Sequence, residues 1–227
     1  MLRRVPTMEF AARMMVFPGG GVDPRDADPS LPWAGPSPAE WGRVLVADEA
    51  IARELVVAAV REVFEECGVL LAGPDAESVV GDVSGPGWHA DREALLSREI
   101  SLAQMLIRRG LVLRSDLLRA RAHWITPEFE PKRYDTRFFA ALLPNGQIAD
   151  DQTSEADHAD WTDPARLLED YATGAALMMA PTLVCVEQLA AAASPAEFLA
   201  AQISMTPITP VAIKTDDDVM FRCHLPW

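Results

Sequence analysis

The chain has 227 residues, 49% hydrophobic and 24% charged, a composition that fits a globular chain and excludes a disordered or fibrous one. Its 34 acidic residues against 20 basic give a net charge of −14, which argues against a general nucleic-acid or anionic-membrane surface. A small anionic substrate is still allowed, because a local basic cluster or a metal inverts the field of one cleft.

The chain opens on MLRRVPTMEF, which is basic but lacks the apolar core of a signal segment. Residues 14–24, MMVFPGGGVDP, read as a short apolar strand running into a glycine turn. Residues 25–45 are rich in Pro, Asp and Trp and read as an irregular excursion, with one turn of helix capped by Ser37 and Glu40 in an S-x-x-E pattern. Asp48 is placed to cap a long helix that ends at Cys67, with Gly68 as its C′ stop. On that helix Val56, Val57, Val60, Val63, Phe64 and Cys67 gather on one face at about 100° per residue.

Residues 85–118 read as two or three helices. RAHWITP and RYDTRFFAALLP read as strands, the second ending in a Pro-Asn-Gly turn. SEADHADWTDPARLLEDY is a short strand leading into a capped helix, residues 175–203 are helical, and the tail from Ile208 holds one more strand. The mixture implies an α/β or α+β fold, taken as one domain over residues 1–227. Cys67, Cys185 and Cys223 are far apart and form no metal-type pair, and no apolar run approaches the roughly 20 residues of a membrane span. A soluble, cytoplasmic protein is expected, with no nucleic-acid partner and no membrane.

The segment REVFEECGVL, residues 61–70, raises a local difficulty. Glu62, Glu65 and Glu66 stand at i, i+3 and i+4 on one face of the helix. Like charges at that spacing cost roughly 0.2–0.5 kcal/mol per pair. Two of them sit in the last turn, where the macrodipole disfavours an anion by about 0.3–1 kcal/mol. Two readings are open. The face is an ordinary solvated stripe, or it binds a cation that offsets both costs.

FPGG followed by a helix ending R-E-apolar-x-E-E-x-G-apolar resembles the Nudix box, G-x5-E-x7-R-E-U-x-E-E-x-G-U. Arg61, Glu62, Val63, Glu65, Glu66, Gly68 and Val69 fill its second half. Gly20 and Arg61 stand 41 positions apart where the box has 14, so about 27 residues are inserted, taken as residues 23–47. Counted back from Arg61, the first glutamate of the box falls on Arg53, with Glu54 one place off. The long insertion, with EECGVLLA, HWITPEFEPKRYDTRFFAALLP and APTLVCVEQL, resembles the Nudix-motif-19 branch, the coenzyme A diphosphatases.

The resemblance implies a Nudix fold: a mixed sheet between helices, extended by the insertion and by the helical segment 85–118. It implies a metal-dependent hydrolase of nucleoside diphosphates linked to another group, with coenzyme A or an acyl-coenzyme A as the first choice. ADP-ribose, NADH or a non-catalytic nucleotide sensor are the alternatives. Glu62, Glu65, Glu66 and a distant acid, Glu155 before Asp157, would ligate Mg²⁺ or Mn²⁺. Glu62, Glu65 and Arg61 would be catalytic, with Arg61 directing Glu65. Gly20, Lys132, Arg133 and Arg137 would meet the substrate, unless the basic residues form a supporting network with Arg133 on Asp135. Trp33 and Trp41 line a pocket or anchor the inserted loop, and His89, His123, His158 and His224 show no ligand spacing. MLRR resembles the end of a strand, short for this fold. A later-than-native start, cover by a second copy or by the tail PVAIKTDDDVMFRC, or a simply short sheet would each account for it. A homodimer is expected, as an open sheet edge calls for cover.

Overall fold

Local capping chemistry fixes most of the element boundaries in the computed structural model, which describes residues 1–5, 13–150, 156–214 and 219–226. Two short strands come first, β1 (Leu2–Arg4) and β2 (Met15–Val16), then a 3-10 turn at Pro24–Ala27, strand β3 (Trp33–Ala34) and helix α1 (Pro38–Leu45). Helix α2 (Glu49–Cys67) is followed by β4 (Ala72–Gly73), α3 (Pro86–Leu96), α4 (Leu102–Arg109) and β5 (Val112–Arg114). The second half holds β6 (Arg119–Ile125), β7 (Asp135–Ala140), β8 (Ala156–Ala159), α5 (Pro164–Ala172), α6 (Ala180–Ala191), α7 (Pro195–Ala200), β9 (Val211–Lys214) and β10 (Val219–Arg222).

Ser37 and Glu40 form the reciprocal box expected of them. The Ser37 hydroxyl accepts from the Glu40 N–H at 3.3 Å, and the Glu40 carboxylate accepts from the Ser37 N–H at 2.8 Å. The helix that follows runs eight residues rather than one turn, because Trp41 and Leu45 share a face and both bury. Asp48 takes the N-cap position of α2, but its side chain makes no capping bond. Its carboxylate acts there only through charge at the positive end of the helix dipole. Gly68 ends α2 with φ 66°, and its N–H donates to the Phe64 carbonyl at 2.9 Å. In segment 85–118 two α-helices form, with a second 3-10 turn at Ser115–Leu117 beyond them. Gly110, left-handed at φ 66°, stops the second helix, and the Leu-Val-Leu run beyond it leads into β5.

Among the described residues the strands divide into small sheets rather than one continuous sheet. These are antiparallel β2-β1-β8, mixed β3-β5-β4, antiparallel β6-β7 and the hairpin β9-β10. An isolated bridge joins Trp124 to Ile208. β1 has three residues, short as expected, yet it is the central strand of its sheet. It therefore offers no open edge for the tail or a second copy to cover. The outer side of β2 is also engaged, with the Met15 N–H on the Leu177 carbonyl at 2.8 Å. The tail forms two strands that pair with each other.

The main core is built on the apolar face of α2, where Val56, Val57, Val60 and Phe64 are all at most 1% exposed. Burying a side chain of this size contributes about 1.5–3 kcal/mol. Trp41 of α1 enters the same core and meets Phe139 edge-on at 5.9 Å. Trp33 packs against the core and donates its indole N–H to the Pro36 carbonyl at 2.7 Å. Both tryptophans thus anchor the inserted loop. No helix of the described residues is long and apolar enough to cross a membrane. With one face of α2 committed to the core, the opposite face turns toward the glycine segment and the first 3-10 turn.

Candidate active site

A solvated stripe would leave the charges of that opposite face exposed. Instead Arg61, Glu65 and Glu66 are each 7% exposed. Charged side chains are rarely buried to this degree unless paired, and Arg61 is the centre of the pairing. Its Nε and Nη2 donate to the two oxygens of Asp26 at 3.0 Å each. Its Nη1 donates to Glu62 at 2.7 Å and to Glu65 at 3.0 Å, and Nη2 also reaches the Gly21 carbonyl at 2.8 Å. One planar fork thus fixes two of the three glutamates. The third, Glu66, accepts the Gly19 N–H at 2.6 Å.

The glycine segment is required by closeness. A Cβ on Gly20 would lie 2.5 Å from both carboxylate oxygens of Glu62. The segment therefore lies directly against the glutamate face, as strand β2 runs out into it.

Asp26 is the residue that sequence reasoning missed. It is 2% exposed, on the 3-10 turn, and also accepts the Asp23 N–H at 2.8 Å. Arg53 does not supply the first acid of the motif; its guanidinium lies over the Trp33 ring, 5.4 Å from the centroid. Counted forward from Gly20, five residues intervene before Asp26, so the acid is in register with the glycines and the added length follows it. Counting from the glycine end as well as from Arg61 would have found it. Two further residues were unmarked. Arg92 of α3 donates from Nε to the Glu65 carbonyl at 2.7 Å, and Asp150 accepts from Arg92 Nη1 at 2.6 Å.

Electrostatics follow the geometry. Burial pushes the Glu65 carboxyl above its ordinary value, against the pull of Arg61, and Glu62 adds to the rise. Burial works against the Arg61 charge, but the Asp26 hydrogen bond and the charges of Asp26, Glu62 and Glu65 outweigh it and hold the guanidinium above its ordinary value. The Arg25 side-chain bond holds Asp23 well below the usual carboxylate range. Cys67 is pushed up to about 11, chiefly by burial, which makes its thiol unreactive.

The donors on this face are carboxylate oxygens only, the set a hard divalent cation takes. Among the described residues no three His, Cys, Asp or Glu side chains are arranged to hold a metal ion. Glu155 lies outside the described residues, and Asp157 falls in β8. Lys132, Arg133 and Arg137 lie in or just before β7. Arg137, not Arg133, pairs with Asp135, while Arg133 donates to the Thr126 carbonyl at 2.9 Å. His123 is buried against Asp135 at 2.6 Å, a structural contact.

A family profile described as the NUDT19 Nudix domain matches residues 38–189. The chain is 28% identical over 174 residues to putative nudix hydrolase 7 of Caenorhabditis elegans, covering 77% of this chain and 49% of that protein. It thus spans about half the length of the curated relative it matches. Its fold is similar to the crystal structure of a NUDIX hydrolase from Alicyclobacillus acidocaldarius, with a TM-score of 0.73 and 26% identity over 91% of this chain and 88% of that one.

Proposed function

This chain belongs to the Nudix hydrolase family, and from that premise we propose that it cleaves the pyrophosphate bond of a nucleoside diphosphate joined to a second group, with coenzyme A or an acyl-coenzyme A as substrate. Nudix hydrolases act on nucleotides and typically use divalent metals. The observation that carries the reading is the buried glutamate face of α2, gathered by one arginine and covered by the glycine segment. Such a cluster of like charges opposes folding and is retained where function needs it.

Glu62, Glu65 and Glu66 would hold Mg²⁺ or Mn²⁺, with Glu155 as a further ligand. When bound, the ion polarises the pyrophosphate and makes water a better nucleophile. Arg61 orients Glu62 and Glu65 through its fork. Glu65, its carboxyl raised by burial, is suited to take a proton from the attacking water. The backbone at Gly20 lies against Glu62, where a side chain would push the carboxylate aside. Lys132 and Arg133 would supply positive charge for the phosphates in an otherwise acidic protein, while the Arg137 side chain is buried, paired with Asp135, and supports β7 instead. The preference for coenzyme A rests on the resemblance to the Nudix-motif-19 branch.

The test is a panel of coenzyme A, acyl-coenzyme A, ADP-ribose and NADH with Mg²⁺ or Mn²⁺, read by mass spectrometry. The expected products are 4′-phosphopantetheine and adenosine 3′,5′-bisphosphate. Turnover of ADP-ribose or NADH alone would replace the substrate, and no turnover at all would favour a nucleotide sensor.

A further inference from the structure

We propose that Arg92 is a positioning residue for the glutamate face of α2, tying the last turn of that helix to Asp150; this rests on the metal-dependent reading above. Arg92 is 5% exposed and comes from α3, in the 85–118 segment, which the function so far leaves unused. Its Nε donates to the carbonyl of Glu65 at 2.7 Å. Its Nη1 donates to both carboxylate oxygens of Asp150, at 2.6 and 2.8 Å. The Asp150 N–H in turn donates to the Cys67 carbonyl at 3.0 Å. Two carbonyls that the end of α2 cannot bond internally are therefore held by one linked pair.

Four features point to positioning rather than to a simple cap. The carbonyl that Arg92 holds belongs to Glu65 itself, so the backbone from which Glu65 and Glu66 project is fixed by this contact. The other terminal nitrogen of Arg92 is buried with no hydrogen-bond partner. An unmade bond of that kind is unfavourable, so the guanidinium is placed for its two links and not for its own satisfaction. Gly68 completes the arrangement. A Cβ there would lie 2.9 Å from an Asp150 oxygen and 3.2 Å from Arg92 Nη1, so the box glycine makes room for the ion pair as well as for the left-handed turn. The cation also stands at the negative end of a helix that carries three carboxylates in its final two turns, and it opposes that field.

The experiment compares the wild-type chain with Arg92→Lys, Asp150→Asn and the double variant. Arg92→Lys keeps a cation and removes the fork; Asp150→Asn keeps the shape and removes the charge. Mn²⁺ binding is measured by calorimetry without nucleotide, and amide exchange over residues 65–70 is followed in metal-free protein. The kcat and KM values are measured on the nucleotide that the wild type hydrolyses. Each single change is expected to weaken Mn²⁺ binding about 10–100-fold and to speed exchange over those residues. The loss of activity falls on kcat, with KM within about threefold. The double variant should be no worse than the weaker single, because both act through one link. Folded variants with unchanged Mn²⁺ affinity and kcat would overturn the proposal even if thermal stability falls, as a mere cap would give that pattern. Losses that multiply in the double variant would overturn it too. If Arg92→Lys does not fold, Asp150→Asn decides on the same readouts. A wild type that binds no Mn²⁺ would sink the metal-dependent reading and this proposal together, whereas Mn²⁺ binding shared equally by wild type and variants removes this proposal alone.

Discussion

Replacing Asp26 by Asn removes the charge that faces Arg61 while keeping the side chain's size. Arg61 would then be pulled only toward Glu62 and Glu65, and its fork would turn. We expect kcat to fall about 10–100-fold, as for other residues that orient a ligand. The thermal midpoint should drop by a few degrees, and Asp26→Glu should recover part of both. Calorimetric melting and steady-state rates on the same samples check this; an Asn variant with full kcat would show that Arg61 is held well enough without Asp26. Gly20→Ala presses on the same network from the glycine side. The added Cβ meets the Glu62 carboxylate, which Arg61 holds at 2.7 Å. Displacing it should cost about 1 kcal/mol of stability and lower kcat as well. Equal rates for Gly20→Ala and wild type would contradict the close approach of the glycine segment.

Helix α1 stands between the inserted loop and the core, and its cap can be removed without touching the glutamates. Ser37→Ala should cost about 1 kcal/mol, or about 2–4 °C in a chain of this length, with kcat unchanged. A matching loss of kcat would mean that α1 shapes the cleft directly. The elements that the sequence announced share a feature: their signals are local. Ser37 with Glu40, Gly68 after Cys67, and Asp163 before the helix at Pro164 each act on backbone a few residues away. The apolar stripe of α2 was legible for the same reason. Asp48 shows the limit, since a residue suited to capping took the right position and made no side-chain bond. Arg92 and Asp150 were not legible, because their partners lie 27 and 58 positions away, whereas Asp26 is legible from the glycine end of the motif though not from its partner 35 positions on. Helical spacing also predicted the glutamate face but said nothing of its burial, which depends on what folds over it.

For the molecule as a whole, the buried face makes stability depend on pH, and the proposed site would make it depend on metal as well. The folded-state carboxyl of Glu65 is raised by burial. Its contribution is therefore fully present below the ordinary carboxylate value, near 4.3, and is lost as pH rises through the raised value. Asp23, held low by Arg25, acts in the opposite sense, and its contribution is lost only in stronger acid. Metal-free wild type should thus lose more stability than Glu65→Gln between mildly acidic and neutral pH, and at neutral pH the Gln variant should melt at or above wild type. Added Mn²⁺ should reverse the order, since a ligand at a hundred times its Kd adds about 2.7 kcal/mol to the form that binds it. Melting curves at several pH values, with Mn²⁺ and with chelator, check both signs. A Gln variant that melts well below metal-free wild type at neutral pH would show that the ion pair with Arg61 outweighs the burial of Glu65.

The two halves of the site are held together between residues 35 positions apart in the chain, so their contact closes a loop. The entropy of closing such a loop grows only with the logarithm of its length, about 0.6 kcal/mol for each doubling. The bond between Asp26 and Arg61 is therefore nearly indifferent to how much chain runs between them, provided the two ends come back to the same places. Pro29 and Ser30 form an exposed turn within that loop, just past Asp26. A folded module with adjacent termini, spliced in at that turn, would travel beside the glutamate face while the chemistry stayed assembled, which makes the split in the motif a natural port for grafting.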